Sequence, residues 1–464
     1  MKMREEKDVF GRVLVPYDRL WGSQTQRCLN KFKIGAEALP APVVKALATV
    51  KKAAARANNR LGLLTDDLAE AIDEAAQSII DGQYLNEFPV PPWQTGSGTH
   101  SNMNANEVIA NLANRNLGHP IGLKYPVHPN DHVNLSQSSN DTFPSAMHIA
   151  FVTETHQKLL PALTGLSKSL RTKQKQYENT LKLGRTHFQD AVPMVVAQEI
   201  GAWASQLEFS HHRIENTLKA IYQLAQGGTA IGTGLNTPYG FDRLVCEAIA
   251  EITGFPFIPV EDKFAAIAAH DALVCASGDL NQLATVMLKL SNDIKILSSG
   301  PRAGLAEMIL PANEPGSSIM PGKVNPTQAE ALAMVACQVM GNHQVVSIAA
   351  SQGQLQLNAF KPVIILNLLR SIELISDVLA SFKENCVEGL SYDEERLTAL
   401  MDNTLMVVTA LTPVIGYDKC AEIAQKAHQE RKTLKQAALD LDYLTAVEFD
   451  KYVQPNLMLK PFPV

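Results

Sequence analysis

The stretch with the most reactive side chains for its length is 314–326, which reads EPGSSIMPGKVNP. Two adjacent hydroxyls, Ser317 and Ser318, stand between glycines that adopt unusual backbone angles at little cost, and Lys323 follows them. Asn325 suits the N-cap of the apolar helix predicted after it, and a helix N-terminus attracts anions. The stretch therefore predicts a mobile loop that ends at an anion-binding helix start, although a lone Gly-Ser-Ser is more often an ordinary surface loop.

Further polar segments interrupt the chain close to predicted helix starts. Two of them bring hydroxyl, amide and close-approach backbone groups to such a start: Ser97, Gly98, Thr99, Ser138, Ser139 and Asn140. A third segment contains Thr186 and His187, and a fourth, at 128–131, reads His-Pro-Asn-Asp. Each alone is more often a capped turn, a solvated loop or a structural histidine, so only their combination indicates a functional site.

Together these strings resemble the motifs of the fumarase/aspartase superfamily, whose members add or remove a small group across a carbon–carbon bond beside a carboxylate. The similar strings are GSSIMPGKVNP at 316–326, GSGTHSNMNANE at 96–107, SSND at 138–141, GRTHFQDAVP at 184–193 and LWGSQTQR at 20–27. Gly322, between a proline and Lys323, is similar to class II fumarases, whereas aspartate ammonia-lyases usually carry alanine there. The resemblance runs over nearly the whole chain.

The resemblance implies a role for each candidate residue. Ser317 would be the base that removes a proton, while His187 paired with Glu330 would handle the leaving group. Lys323 and Asn325 would clamp the substrate and stabilise charge. The remaining implied substrate-binding residues are Ser97, Gly98, Thr99, Ser138, Ser139, Asn140, Thr186, Ser318 and Val324. A second carboxylate site, which is not catalytic, would consist of His128, Pro129, Asn130 and Asp131.

The implied reaction is the reversible, stereospecific hydration of fumarate to L-malate, a step of the tricarboxylic acid cycle, through a carbanion-type intermediate. Such a reaction needs a base, an acid for the departing hydroxyl, and positive charge beside the reacting carboxylate. Helix N-termini and a lysine supply that positive charge, so neither a metal nor an organic cofactor is expected. Two alternatives are aspartate ammonia-lyase activity and a non-catalytic helical assembly protein. The presence together of Ser317, Lys323, Asn325, His187 and Glu330 argues against the second.

Composition excludes several other classes. The 464 residues are 46% hydrophobic but only 6% aromatic, which favours packed helices, and the net charge of −6 without basic tracts argues against nucleic-acid binding. The six scattered cysteines form no C-x-x-C pair, so we expect buried free thiols in a reducing cytoplasm. The first residues do not resemble a signal peptide, and no apolar run is expected to reach membrane-spanning length.

The predicted fold is mainly all-α, and the family resemblance implies an elongated three-domain architecture around a central bundle of long helices. The predicted domains are 1–138, 139–390 and 391–464. An irregular segment is expected over 1–40, and helices are predicted over 43–61, 66–80, 193–225, 266–298, 327–346 and 352–380. Long helices with wholly apolar stretches predict an oligomer. The resemblance implies a homotetramer in which different chains share each active site.

Overall fold

The structure, a computed structural model, describes residues 2–461. Within them lie seventeen α-helices and ten short strands, so the mainly all-α fold is confirmed. The helices are α1 Ser23–Lys31, α2 Ala41–Arg60, α3 Asp66–Ile80, α4 Thr99–Asn116, α5 Ser139–Glu154, α6 Leu160–Gln176, α7 Val196–Ile221, α8 Phe241–Thr253, α9 Lys263–Ala268, α10 Asp271–Leu297, α11 Thr327–Ala350, α12 Lys361–Phe382, α13 Glu394–Asn403, α14 Thr412–Ile415, α15 Tyr417–Glu430, α16 Leu434–Asp440 and α17 Ala446–Tyr452.

The strands form five sheets of two strands each within the described residues. Four pairs are antiparallel and one, Gln223–Leu224 with Ile258–Pro259, is parallel. The strands are β1 Met3–Asp8, β2 Gly11–Pro16, β3 Leu181–Thr186, β4 Gln189–Val195, β5 Gln223–Leu224, β6 Ile258–Pro259, β7 Met308–Ile309, β8 Gly353–Gln354, β9 Leu357–Asn358 and β10 Ser391–Tyr392.

The chain divides into two compact units. The first comprises the described residues up to Ala162 together with Ser210–Thr285 and Val335–Asp377. Its core forms around α2, a helix rich in alanine whose small side chains let α3, α5 and α8 pack closely against it. Leu47, Ile72 and Phe143 are among its fully buried side chains.

The second unit comprises Leu163–Phe209, Val286–Met334 and the described residues from Val378 onward. One apolar cluster in this unit joins Leu183 of β3 to side chains from the short helices near the end of the chain, including Leu411, Ile423 and Ala437. Two of those helices, α16 and α17, begin at capping boxes, in which a threonine and a residue three positions later satisfy each other's backbone N–H groups. These contacts fix the position of the β3–β4 hairpin within the unit.

Several expected helix limits differ from the observed ones. The helix expected from Pro193 begins at Val196, because Pro193 lies in β4, where a two-stranded ribbon has a free edge that tolerates proline. The segment expected to be one helix over 266–298 is interrupted between α9 and α10, and the helix expected from 352 begins at Lys361 after a small hairpin. The first 40 residues contain the β1–β2 hairpin and α1 rather than irregular structure alone.

Two other expectations need correction. Cys275 and Cys337 are exposed in the chain, although the other four cysteines are buried as expected and all six are free. By length and composition α11 is apolar enough to cross a membrane, so the expectation that no run approaches that length is wrong for this helix. The pair Glu394–Asn403 and Met406–Ile415 passes the same test only when taken together. Core helices of soluble proteins also pass it, and the absence of a membrane partner stays a prediction.

The three predicted domains also stay a prediction, because the two units are a division by packing and test no domain limit. The ends of that prediction, residue 1 and residues 462–464, lie outside the described part of the chain.

Candidate active site

In the first unit, the starts of α4 and α5 bring three predicted hydroxyls together. Thr99 is the first residue of α4 and Ser139 is the first residue of α5, and their hydroxyl oxygens lie 2.6 Å apart. The Ser97 hydroxyl lies 2.8 Å from that of Thr99. Gly98 supports this contact because it takes a left-handed φ of 78° at the helix cap, which a glycine adopts without strain. Two helix N-termini with converging hydroxyls form an arrangement suited to a carboxylate.

The SSND segment is held in place by its aspartate. Ser138 caps α5 in a capping box with Asp141, whose Oδ1 accepts the Ser138 N–H at 2.9 Å. The other oxygen, Oδ2, accepts the N–H groups of Gly227 at 3.0 Å and Thr229 at 2.9 Å. Burial raises the pKa of Asp141 to about 6, although these N–H donors oppose the shift. The glycine-rich segment that starts at Gly227 therefore positions the serines.

Asn140 and Lys51 complete this support. The Asn140 side chain donates to the backbone oxygen of Ala230 at 2.9 Å. Lys51 is fully buried, and its Nζ donates to Asn134 at 2.9 Å and to Gln137 at 3.0 Å. Burial lowers the pKa of Lys51 to about 7. Our sequence reasoning missed Lys51, because a lysine within an alanine-rich helix has no local feature that separates it from a solvated residue.

The predicted second carboxylate segment forms one tight turn in the first unit. His128 precedes the turn Pro129–Val133, and its Nδ1 accepts the N–H groups of Asn130 at 3.2 Å and Asp131 at 3.1 Å. Because Nδ1 accepts these bonds, it carries no proton, and its 3.3 Å approach to the Asp131 carboxylate is not an ion pair. Burial lowers the pKa of His128, which is consistent with a neutral ring.

In the second unit, Thr186 and His187 lie at the tip of the β3–β4 hairpin. His187 and Phe188 form its two-residue turn with φ values of 56° and 60°, the backbone that a type I′ turn requires. Thr186, His187 and Phe188 are all exposed. A residue with a side chain rarely holds a left-handed φ without a compensating reason, which makes this tip a functional candidate. The sequence suggested a loop here, because no Asn-Gly or Asp-Gly pair indicated a hairpin.

The loop at 314–326, also in the second unit, closes on itself. The Gly316 N–H donates to the Lys323 backbone oxygen at 2.9 Å, and the Asn325 side chain donates to the Gly316 oxygen at 2.5 Å. Asn325 is not the N-cap that we expected, because α11 begins two residues later at Thr327 and the Glu330 N–H donates to the Pro326 oxygen, which places the cap at Pro326. Inside the loop, Ser317 Oγ accepts the N–H groups of Ile319 at 3.3 Å and Met320 at 3.1 Å. Two N–H donors aimed at one hydroxyl oxygen would stabilise negative charge on it.

The rest of the loop is open to solvent. Ser318, Lys323 and Val324 are exposed, while Ser317 is partly buried. A cavity of about 420 Å³ beside the loop is lined by Lys323, Val324 and Asn325 and by residues of the segment 298–310. Its volume is ample for a small dicarboxylate.

Glu330 lies on the first turn of α11 and is exposed. Within the second unit, no hydrogen bond or ion pair between Glu330 and His187 is found among the described residues. The described residues also contain no group of three or more His, Cys, Asp or Glu side chains arranged to hold a metal ion. The individual catalytic and binding roles stay predictions.

Comparison with known proteins places the chain among lyases. A family model described as lyase matches residues 11–341, and a second, described as fumarase C C-terminus, matches residues 407–460. The mitochondrial fumarate hydratase of Rhizopus oryzae is 55% identical over 460 residues, covering 99% of this chain and 93% of the relative. The class II fumarate hydratase of Pseudomonas putida is 55% identical over 458 residues, covering 99% of both. The crystal structure of class II fumarase from Schistosoma mansoni superposes with a TM-score of 0.97 at 46% identity, covering 98% of this chain and 99% of that one.

Proposed function

Because the chain belongs to the class II fumarase family, we propose that it is a fumarate hydratase, a hydro-lyase that interconverts fumarate and L-malate. The family match spans most of the chain, and curated relatives of this name are more than half identical to it over nearly their full length. The substrate class that follows is a small dicarboxylate. A place in the tricarboxylic acid cycle follows from the same reaction.

The observation that carries the mechanism is the pair of N–H groups directed at Ser317 Oγ. A carbon next to a carboxylate is a weak acid, so its proton needs a strong base, and a serine hydroxyl is a strong base only as an alkoxide. The Ile319 and Met320 N–H groups stabilise that alkoxide by charge-assisted hydrogen bonds, with Lys323 on the same loop adding positive charge. Ser317 then takes the proton, and negative charge develops on the carboxylate of the carbanion-type intermediate.

The family resemblance implies that the carboxylates of the substrate are held by the two helix starts and the loop, supplied by different chains of the assembly. Thr99, Ser139 and Asn140 present a hydroxyl pair and an amide at the N-termini of α4 and α5. Lys323 and Asn325 present a cation and an amide at the cavity beside the loop. Clamping both carboxylates fixes which face of the double bond reacts, which accounts for a stereospecific product.

We further propose a homotetramer in which chains share active sites, as the family resemblance implies. The support is α11, a 24-residue helix with exposed apolar side chains. In the single chain Met334 is 67% exposed and Ile348 is 63% exposed. Such a face is covered in stable soluble proteins, and a second copy of this chain would cover it. In that assembly His187 of one chain meets Glu330 of another, so an isolated monomer is inactive. A cytoplasmic location is proposed from the six free thiols.

The test is the ultraviolet absorbance of fumarate, whose conjugated double bond absorbs while L-malate and L-aspartate do not. The purified, chelator-treated protein should produce fumarate from L-malate and none from L-aspartate. Production from L-aspartate alone would move the assignment to an ammonia-lyase. No production from either substrate by a folded tetramer would refute the proposed activity.

The variant Ser317→Ala removes only the proposed base, so kcat should fall by about 10²–10⁴-fold with KM nearly unchanged. Ser78→Ala is the matched control, since that hydroxyl lies on α3, away from the predicted site residues, and donates to the Glu74 backbone oxygen at 3.1 Å. The control should keep full turnover. A Ser317→Ala enzyme with kcat within threefold of the unmodified enzyme would show that another group takes the proton.

A further inference from the structure

A group of four charged residues, two of them fully buried, lies at the base of the hairpin that carries His187. Lys182 Nζ lies 2.8 Å from Glu199 Oε1 and 3.0 Å from Glu307 Oε2, and Arg185 Nη2 lies 2.6 Å from Glu307 Oε1. The Lys182 and Glu307 side chains are 1% and 0% exposed. Two cations and two carboxylates give no net charge, which is the condition under which so many charges are tolerated away from water.

Glu307 connects two segments that the reaction needs. On one side it pairs with Lys182 and Arg185 of β3, and Arg185 directly precedes Thr186 and His187. On the other side it lies between Ala306 and Met308, both of which line the cavity beside the serine loop. Its backbone is fixed as well, because the Glu307 N–H donates to the Leu297 oxygen at 3.0 Å and its oxygen accepts the Asp393 N–H at 3.0 Å.

The outer part of the hairpin has few other contacts of this strength. Side chains from Thr186 to Asp190 are exposed, and the turn residues His187 and Phe188 hold left-handed backbones. The strand register shifts between Leu183 and Arg185, as at a β-bulge, and bulges redirect the side chains that follow them. Here the residue after the shift directs its guanidinium to Glu307. The ion pair therefore ties the residue next to the tip to Glu307 within the second unit.

We propose that Glu307 is a positioning residue of the hydration reaction, which fixes the direction in which the hairpin presents Thr186 and His187. Glu307 touches no substrate and acts through Arg185 and Lys182. Loss of its charge leaves Arg185 without its carboxylate and Lys182 with Glu199 alone, and the hairpin tip then moves while the rest of the fold remains. This inference rests on the proposed fumarate hydratase activity.

The first test is Glu307→Gln in the full-length assembled protein, with Asp279→Asn as the matched control. Asp279 is also a buried carboxylate paired with an arginine, at 2.7 Å from Arg213, but it lies in the first unit and far along the chain from any predicted site residue. A shift of about 1 Å in a catalytic group costs about 10²-fold in rate, so Glu307→Gln should lower kcat by about that factor and change KM by less than threefold. Asp279→Asn should lower the melting temperature but keep kcat within twofold.

A double-mutant cycle separates positioning from general destabilisation. Arg185→Gln should lower kcat to a similar degree, and the double variant Glu307→Gln with Arg185→Gln should be no worse than either single variant, because both break the same connection. Arg185→Lys, which keeps a cation, should recover part of the rate. Arg185 is partly exposed, so its variants remain informative if Glu307→Gln fails to fold. Additive losses, or a Glu307→Gln kcat within twofold of the unmodified enzyme, would overturn the proposal.

Hydrogen exchange gives a readout that does not depend on activity. Amides in 181–195 should exchange faster in Glu307→Gln than in the unmodified protein, and at an unchanged rate in Asp279→Asn. If the unmodified tetramer does not convert L-malate, the proposed function fails whatever the exchange shows. If the unmodified enzyme is active and exchange in the hairpin does not change, the positioning role alone fails.

Discussion

Gly98 offers a quantitative test of how the hydroxyl cluster is held. An ideal Cβ at Gly98 would lie 2.8 Å from Cδ1 of Phe143 and closer still to Cγ and Cδ2 of that ring. Phe143 is fully buried on α5, one turn after Ser139. Carbon atoms in contact stand about 3.5–4.0 Å apart, so Gly98→Ala requires the ring or the backbone to move by roughly 1 Å. That movement separates the starts of α4 and α5.

The expected cost has two parts. A left-handed backbone at alanine costs about 1–2 kcal/mol, and overpacking a filled core adds about 1–3 kcal/mol, for a total of about 2–5 kcal/mol. Gly118→Ala is the control, and subtracting its cost from that of Gly98→Ala isolates the cost of overpacking. Gly118 has a φ of 80° but no atom within 4 Å of its ideal Cβ, so only the backbone cost applies. The difference between the two variants, about 1–3 kcal/mol, is the collision with Phe143.

The assay is equilibrium urea unfolding at one fixed protomer concentration, since the stability of an oligomer depends on concentration. Turnover of L-malate is measured on the same samples. Gly98→Ala should lose at least about tenfold in kcat/KM, because Thr99 and Ser139 no longer face each other at 2.6 Å. Gly118→Ala should keep its turnover. Equal unfolding free energies for the two variants would refute the collision, and an unchanged kcat/KM in Gly98→Ala would refute the role of the cluster.

Two further predictions follow from buried titratable groups. Burial lowers the pKa of His148 to about 4. Between pH 4 and about pH 6.5 the unfolded chain therefore binds more protons than the folded chain. The unfolding free energy falls as the pH decreases through this range, by at most about 3 kcal/mol. Urea unfolding from pH 7 to pH 4 checks this, and His148→Gln should flatten the profile. Burial also raises the pKa of Cys28 to about 11 and of Cys386 to about 12, so neither should react with Ellman's reagent before unfolding. Native labelling of either cysteine at the rate of a free thiol would contradict its burial.

Helices with strong local signals were predicted well from the sequence. The helix predicted over 66–80 matches α3 at both ends, because Asp66 and Asp67 favour a helix start and the apolar spacing ends before a glycine. The β3–β4 hairpin was missed, since Pro193 reads locally as a helix start and only pairing with β3 makes it an edge strand. Asn325 shows the same limit at one residue. Its local pattern predicts a cap, but α11 begins two residues later at Thr327, and the Asn325 side chain donates to the Gly316 oxygen nine residues earlier.

The candidate site was identified through motifs, whereas the groups that hold it carry no motif. Asp141 binds the N–H groups of residues 86 and 88 positions away, and Lys51 reaches Gln137 across 86 positions. No periodicity or turn chemistry encodes such distances, because each contact is settled by packing between helices that are remote in the chain.

Glu307 is the clearest instance. It lies just before a recognisable loop and reads as an ordinary loop acid, yet its burial between two cations of β3 makes it a residue on which the position of His187 depends. A variant scan limited to the motif residues would leave out this support, which the Glu307 and Asp279 pair of variants tests.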